Sequence, residues 1–208
     1  MNEAKPQSRG MARRKAMLEA ASALFQEKGF ERTSLTDIIE RSKGSRTTLY
    51  DLFGSKEGLL QAMVAESVQD VWQAIAWGDG LLPVNKDNLF DIGRRFVRAI
   101  CSPNNLALYR VLVGVSWRQP EIALEFFNAG PRNLKHRLAE AFSAALALRP
   151  AGAQGFDSMN LAKMFLGMVA GDFQFRRALN TNADWTEEEL DFHVRQAVGV
   201  FLTGTGLG

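Results

Sequence analysis

The chain has 208 residues, 46% of them hydrophobic and 23% charged, which are ordinary proportions for a folded globular protein. Its net charge of +2 is too small to name a partner, and a single cysteine, Cys101, excludes an internal disulfide framework or a multi-cysteine zinc site. No stretch is apolar for the length a membrane helix needs, and the basic start (Lys5, Arg9, Arg13, Arg14, Lys15) lacks the apolar core of a signal peptide, so a cytosolic chain is expected.

Residues 1–11, with Pro6 and Gly10 among polar neighbours, are expected to form a flexible arm. The first helix is predicted over 12–28, where Met17, Ala20, Ala21, Leu24 and Phe25 repeat along one face. Gly29 then Phe30 stops it: glycine tolerates a left-handed turn, and the following apolar side chain folds back. Ser34-Leu-Thr-Asp37 is a capping-box-like start for a second helix with Leu35, Ile38 and Ile39 inward. Lys43-Gly44 makes a turn, and Ser45 caps a third helix anchored by Leu49, Leu52 and Phe53. Gly54 ends that helix, and Ser55 caps a fourth that runs through Leu59, Leu60, Met63, Val64, Val68, Val71, Trp72 and Ile75.

Gly78-Asp-Gly-Leu-Leu-Pro83 interrupts the chain, and further helices are predicted near 87–102, 104–117, 119–128, 131–147, 157–179 and 187–203. Pro103, Pro120 and Pro131 fit at or just before first turns, and Thr186-Glu-Glu-Glu189 is a capping box for the last helix. No segment alternates as a strand does. The fold class is all-α in two parts: a three-helix unit over 12–58 and a larger helical domain over 59–208, linked by the long fourth helix.

Two short helices, a glycine turn and a capped helix after it form a helix-turn-helix arrangement, which can place one helix end in the major groove of DNA. The first turn of the third helix carries short polar or basic side chains where base edges come closest. Arg46 can bond a guanine bidentately, Thr47 can offer a hydroxyl or a methyl group, and Ser45 and Thr48 complete that turn. Tyr50, one turn on, suits a phosphate. Thr33, Ser34 and Thr36 cluster where free amides and the helix dipole favour a phosphate, and Lys56 offers a positive charge at the start of the fourth helix. Charge agrees in direction: residues 1–60 hold eleven Lys/Arg against eight Asp/Glu, and the remainder fourteen against fifteen.

Catalytic chemistry finds no constellation here. His136 and His193 sit among charged residues and are expected to face solvent, Cys101 reads as a buried inert thiol, and Glu187–Glu189 serve a helix cap. Neither a cofactor nor a metal ion is expected.

Residues 13–60 resemble the N-terminal domain of the TetR/AcrR family of bacterial transcriptional regulators. The likeness lies in Ala20-Ala21, Leu24-Phe25-Gln-Glu-Lys-Gly29-Phe30, Thr33-Ser34, Asp37-Ile38-Ile39, Thr48-Leu49-Tyr50, Phe53 and Ser55-Lys56-Glu57. The resemblance implies a cytoplasmic, nucleoid-associated homodimer whose third helix reads double-stranded DNA, with 59–208 as an effector-binding and dimerisation domain. By position, Arg46, Thr47 and Thr48 are the base-edge candidates, with Tyr50, Lys56 and the Thr33/Ser34 helix end for phosphates. Two features depart from the family pattern: Lys43-Gly44 stands where glycine and a small aliphatic residue are usual, and Asp51 follows Tyr50. Asp51 is expected to face Lys or Arg neighbours.

The stretch from Leu108 to Pro131 is similar to the effector domain of the AefR-like branch. In the family the cavity lies between the linking helix and the middle helices, which implies a pocket for a lipophilic or aromatic effector among Val68, Trp72, Tyr109, Val113, Trp117, Phe126, Phe165 and Met168. Gly167 and Gly171, four apart, and the apolar face Leu190, Val194, Ala197, Val198, Phe201 and Leu202 suit a four-helix dimer interface. Two-fold symmetry would set the reading helices about 34–36 Å apart or somewhat more and predicts a palindromic operator. The rival expectation is a DNA-binding protein without a small-molecule effector, whose second domain holds protein partners.

Overall fold

The computed structural model describes residues 6–78, 80–148, 155–179 and 184–207; they form ten α-helices and, among themselves, no strand. The chain divides into two compact units. One comprises the residues up to Ser67 together with Ala107–Phe127, the other Val68–Leu106 and the chain from Asn128 onward. The division therefore falls inside the fourth helix, nine residues beyond the predicted boundary at 58, and the first unit also takes in a later segment.

In the first unit, α1 spans Pro6–Lys28, α2 Leu35–Ser42 and α3 Arg46–Phe53, and α4 begins at Lys56. The start of α1 corrects the expectation of an arm over 1–11: Pro6 is a good first helical residue because its missing N–H is not needed there, and the helix tolerates Gly10. Residues 1–5 lie outside the described residues. Gly29 takes φ 82° and donates its N–H to the Phe25 carbonyl at 3.0 Å, the predicted stop. The core gathers Met17, Ala21, Leu24, Phe25 and Phe30 of α1 and its turn with Ile38, Leu49, Leu59 and Leu60. Phe30 packs on Phe25 with ring centroids 4.9 Å apart.

The second unit contains the end of α4 (Lys56–Ile75), α5 (Lys86–Ile100), most of α7 (Pro120–Ala147), α8 (Ser158–Ala170), α9 (Phe173–Ala178) and α10 (Glu187–Thr205). Helix α6 (Pro103–Val115) starts here and ends in the first unit. Within the predicted interruption after α4, Asp79 lies outside the described residues. Two helical predictions change. Helix α7 continues through Pro131, where two helices were expected; proline removes one rung of the ladder without ending the helix. Conversely, the single helix expected over 157–179 breaks at Gly171, whose φ of 50° caps α8.

The core of this unit is aromatic at its centre, with the Phe142, Phe165 and Phe201 rings 5.2–6.1 Å apart and all three nearly inaccessible. Gly93 lets α5 approach closely: an added Cβ would lie 2.9 Å from Val194 Cγ1 and 3.0 Å from Val169 Cγ1. Side chains satisfy the last carbonyls of α5. Asn105 donates to the Ala99 carbonyl at 2.7 Å, Gln174 to that of Ile100 at 3.2 Å, and Arg177 to that of Cys101 at 3.4 Å. The Thr186 capping box forms as predicted, and Glu187 beside it pairs with Arg94 and Arg98 of α5.

Candidate nucleic-acid interface

Helix α2 starts with a complete capping box: Asp37 donates its backbone N–H to Ser34 Oγ at 3.1 Å, and Ser34 donates its own to Asp37 Oδ2 at 2.9 Å. That backbone bond, with Lys28 3.0 Å away and the Ser34 hydroxyl, holds the Asp37 carboxyl down to about 2, so it stays ionised at any physiological pH. Thr36 is exposed on the same first turn.

The turn into α3 keeps its left-handed residue although glycine has moved by one. Lys43 itself adopts φ 52° and ψ 34° and returns its N–H to α2 carbonyls. At Gly44 an added Cβ would lie 2.3 Å from Met17 Cε, the flexible end of that side chain, which would have to shift. The Lys43 head is exposed and, among the described residues, has no acidic partner.

Ser45 caps α3 by accepting the Thr48 N–H at 3.1 Å, and the two hydroxyls share a bond at 2.8 Å. Both side chains are thus occupied in building the helix end, whereas Arg46 and Thr47 are exposed with no acceptor among the described residues. Leu49 is completely buried beneath them, which fixes the helix by its inner face and leaves 46, 47, 50 and 51 as the outward row. Tyr50 is 50% exposed. Asp51 differs from expectation: it is exposed and has no Lys or Arg partner among the described residues. Its carboxylate therefore lies on the outward row of α3 beside Tyr50.

Two phosphate candidates turn inward. Thr33 is 1% exposed and donates its hydroxyl to the Leu24 and Gly29 carbonyls at 3.2 and 2.9 Å, so it closes the α1–α2 turn. Lys56 Nζ lies 2.8, 3.3 and 3.1 Å from the carbonyl oxygens of Phe30, Glu31 and Thr33 and 4.5 Å from the Phe30 ring centroid. The Lys56 use is not readable from local spacing, because its partners lie 23–26 residues away.

The eight pocket candidates do not form one wall within either unit. Phe165 is consumed by the aromatic core, Trp72 packs 6.4 Å from Trp77 with Arg137 over its ring, and Val68 and Met168 are partly buried. In the other unit Tyr109 and Phe126 are partly buried, whereas Val113 and Trp117 are 58% and 94% exposed. A cleft that sequence reading missed, of about 240 Å³, is bounded by Asp172, Phe173, Arg176, Asp184, Trp185, Glu189 and His193.

The predicted dimer face is also corrected. Leu190, Val194 and Val198 are completely buried and Ala197, Phe201 and Leu202 at most 7% exposed, so the unit's own core uses that face. Gly171, outside α8, does not share a helical face with Gly167. The outward row of α10 is Phe192, Gln196, Gly199, Val200 and Thr203, with Phe192 65% and Val200 61% exposed.

Of the possible catalytic groups, His193 proves partly buried, its Nε2 2.9 Å from the Met168 carbonyl and its ring edge-on to Phe173; His136 is exposed. Cys101 is 2% exposed, and burial pushes its thiol up to about 12, so it is no nucleophile at neutral pH.

Residues 17–63 match the bacterial regulatory proteins of the tetR family, and residues 87–204 the C-terminal domain of AefR-like transcriptional repressors. The chain is 32% identical over 65 residues to the A-factor receptor protein of Streptomyces griseus, covering 31% of this chain and 24% of that one. It is 43% identical over 51 residues to the HTH-type transcriptional repressor ComR of Escherichia coli (strain K12), covering 24% of each. The match thus spans about a quarter of the length of those two relatives. Among solved structures, the Flavonoid-responsive Regulator FrrA superposes with a TM-score of 0.72 at 26% identity, covering 92% of this chain and 96% of that one. A TetR family transcriptional regulator from Pseudomonas syringae pv. tomato str. DC3000 superposes with a TM-score of 0.69 at 26% identity, covering 91% and 95%. No helix among the described residues is long and apolar enough to cross a membrane. With residues 17–63 and 87–204 both matched, the chain belongs to the TetR family of bacterial transcriptional regulators, which bind DNA and are not enzymes.

Proposed function

We propose that this regulator is a cytoplasmic homodimeric repressor that occupies a palindromic operator and leaves it when a lipophilic or aromatic effector binds. The observation that carries the DNA reading is the outward row of α3, with Arg46, unpaired among the described residues, on a helix end fixed by Ser45 and by buried Leu49. Arg46 reads a guanine, Thr47 an adjoining base, and Tyr50, Thr36 and the free first-turn amides of α2 meet phosphates. Lys43 adds an exposed cation at the turn. The outward row of α10 supports dimerisation: Phe192 and Val200 offer apolar area while Gly199 lets a second backbone approach. FrrA, the structural neighbour described as flavonoid-responsive, supports an aromatic effector. Release requires the effector to favour the conformer that does not fit the operator, by its differential affinity for the two states.

A second reading, in which the regulator has no small-molecule effector and holds protein partners, is favoured by the exposed apolar side chains Trp117, Leu124 and Val113. Selection of binding sequences from random duplex DNA at two salt concentrations tests the DNA reading. Enrichment of a palindrome is expected; salt-sensitive binding without enrichment would refute sequence recognition. Flavonoids and other aromatic compounds are then titrated against the selected DNA, and failure of all to release it would favour the second reading.

A further inference from the structure

Lys56 opens α4, and its ammonium has three protons facing three main-chain oxygens of the α1–α2 turn: Phe30 at 2.8 Å, Thr33 at 3.1 Å and Glu31 at 3.3 Å. The ring of Phe30, held by Phe25, covers the same charge at 4.5 Å. Each acceptor is a carbonyl, so the charge-assisted bonds leave the group no proton to give to DNA without breaking one.

One of those carbonyls belongs to the peptide that enters α2. Its oxygen, on Thr33, accepts from Lys56, and its N–H, on Ser34, donates to Asp37 at 2.9 Å. The peptide is therefore gripped at both ends, and with it the direction of the Leu35 and Thr36 amides. The buried Thr33 hydroxyl anchors the same residue to α1. Farther along α4, Glu66 pairs with Arg14 of α1, and the Arg14 guanidinium lies over the Phe53 ring at the end of α3.

We infer that Lys56 is a positioning residue: it fixes the α2 entry to the first turn of α4 and aims the α2 amides at the operator phosphate without touching DNA. The inference rests on the DNA-binding reading of this face. A phosphate contact and a positioning role predict different outcomes. Loss of a phosphate contact weakens binding on all sequences and lowers the salt slope by about 0.9. Loss of the positioning bonds weakens the selected operator most, because only there must several contacts fit together.

The experiment compares wild type, Lys56→Met and Lys56→Arg on the selected operator and on a random duplex over a series of salt concentrations. Both variants are expected to bind the operator roughly tenfold or more weakly with the salt slope kept. Lys56→Arg groups with Lys56→Met because a planar guanidinium cannot place three N–H bonds around one atom. A Lys56→Arg protein that binds like wild type, or a slope lower by about 1 in Lys56→Met, would overturn the inference. A wild-type protein that selects no DNA would instead undo the underlying reading.

A measurement on the unaltered protein covers the case where a variant does not fold. With 15N-labelled lysine, the Lys56 ammonium is expected to give a slowly exchanging NMR signal that stays in place when operator is added. Coupling of that nitrogen to a DNA phosphorus would sink the proposal.

Discussion

Replacing Gly58 by alanine sets a gain in helix propensity against a larger steric cost. Gly58 lies inside the first turn of α4, where helix propensity alone favours alanine by about 1 kcal/mol. An added Cβ, however, would sit 1.9 Å from the carbonyl oxygen of Phe53 and 3.0 Å from its carbon, about 1.5 Å short of ordinary contact with the oxygen. Both obstructing atoms are backbone, so no rotamer change relieves the clash; the end of α3 must move away from α4. That movement breaks the bond from the Ser55 N–H to the same oxygen, 2.8 Å in the native turn. Overpacking with backbone displacement costs about 1–3 kcal/mol and the lost bond about 1 kcal/mol, so a net destabilisation of about 2 kcal/mol remains after the propensity gain. For a chain of this size that lowers the thermal midpoint by roughly 4–8 °C. Gly10→Ala is the control, because an added Cβ at this α1 position meets nothing within 4 Å and should stabilise by a few tenths to about 1 kcal/mol. Calorimetry of the two variants decides the matter. If Gly58→Ala melted at or above wild type, the clash with the Phe53 carbonyl would not carry that steric cost.

Arg46→Ala is expected to cost about 1–3 kcal/mol on the selected operator and to relax preference at one base pair per half-site; an unchanged selected sequence would remove Arg46 from base reading. Phe192→Asp should shift the protein from dimer to monomer in sedimentation experiments while it stays folded, whereas Val198→Asp places an unpaired charge in the core and should unfold it; a folded Phe192→Asp dimer would refute the assigned face. The buried Cys101 thiol gives a pH signature. Its folded value of about 12 lies above the unfolded one, so its contribution is fully present below the unfolded value, near 8.5, and is lost as pH rises toward 12. Stability should therefore decline by about 1.4 kcal/mol per pH unit through that window, and Cys101→Ala should flatten the decline; an unchanged slope would show that other groups govern it.

The sequence by itself determined the parts of this protein whose causes are local. Ser34 and Asp37, Ser45 and Thr48, and Thr186 and Glu189 meet across three residues, so the starts of α2, α3 and α10 follow from side chains that must satisfy nearby amides. Gly29 stops α1 for an equally local reason, and Arg46 and Thr47 stay outside because Leu49 goes inside. The tertiary structure decided which of several possible partners each remaining side chain takes. Thr33 and Lys56 had the chemistry of phosphate contacts, but carbonyls left open by the α1–α2 turn lie closer and bind them first. The apolar face of α10 from Leu190 to Leu202 could have met a second subunit, yet Phe142 and Phe165 of this chain fill it, and Phe192 and Val200 are left outside. Gly171 read as a helical residue until its left-handed backbone, with His193 against it, separated α8 from α9. A cap depends on neighbours three residues away and is written in the local sequence, whereas burial depends on surfaces brought together by the whole fold and is settled only when they meet.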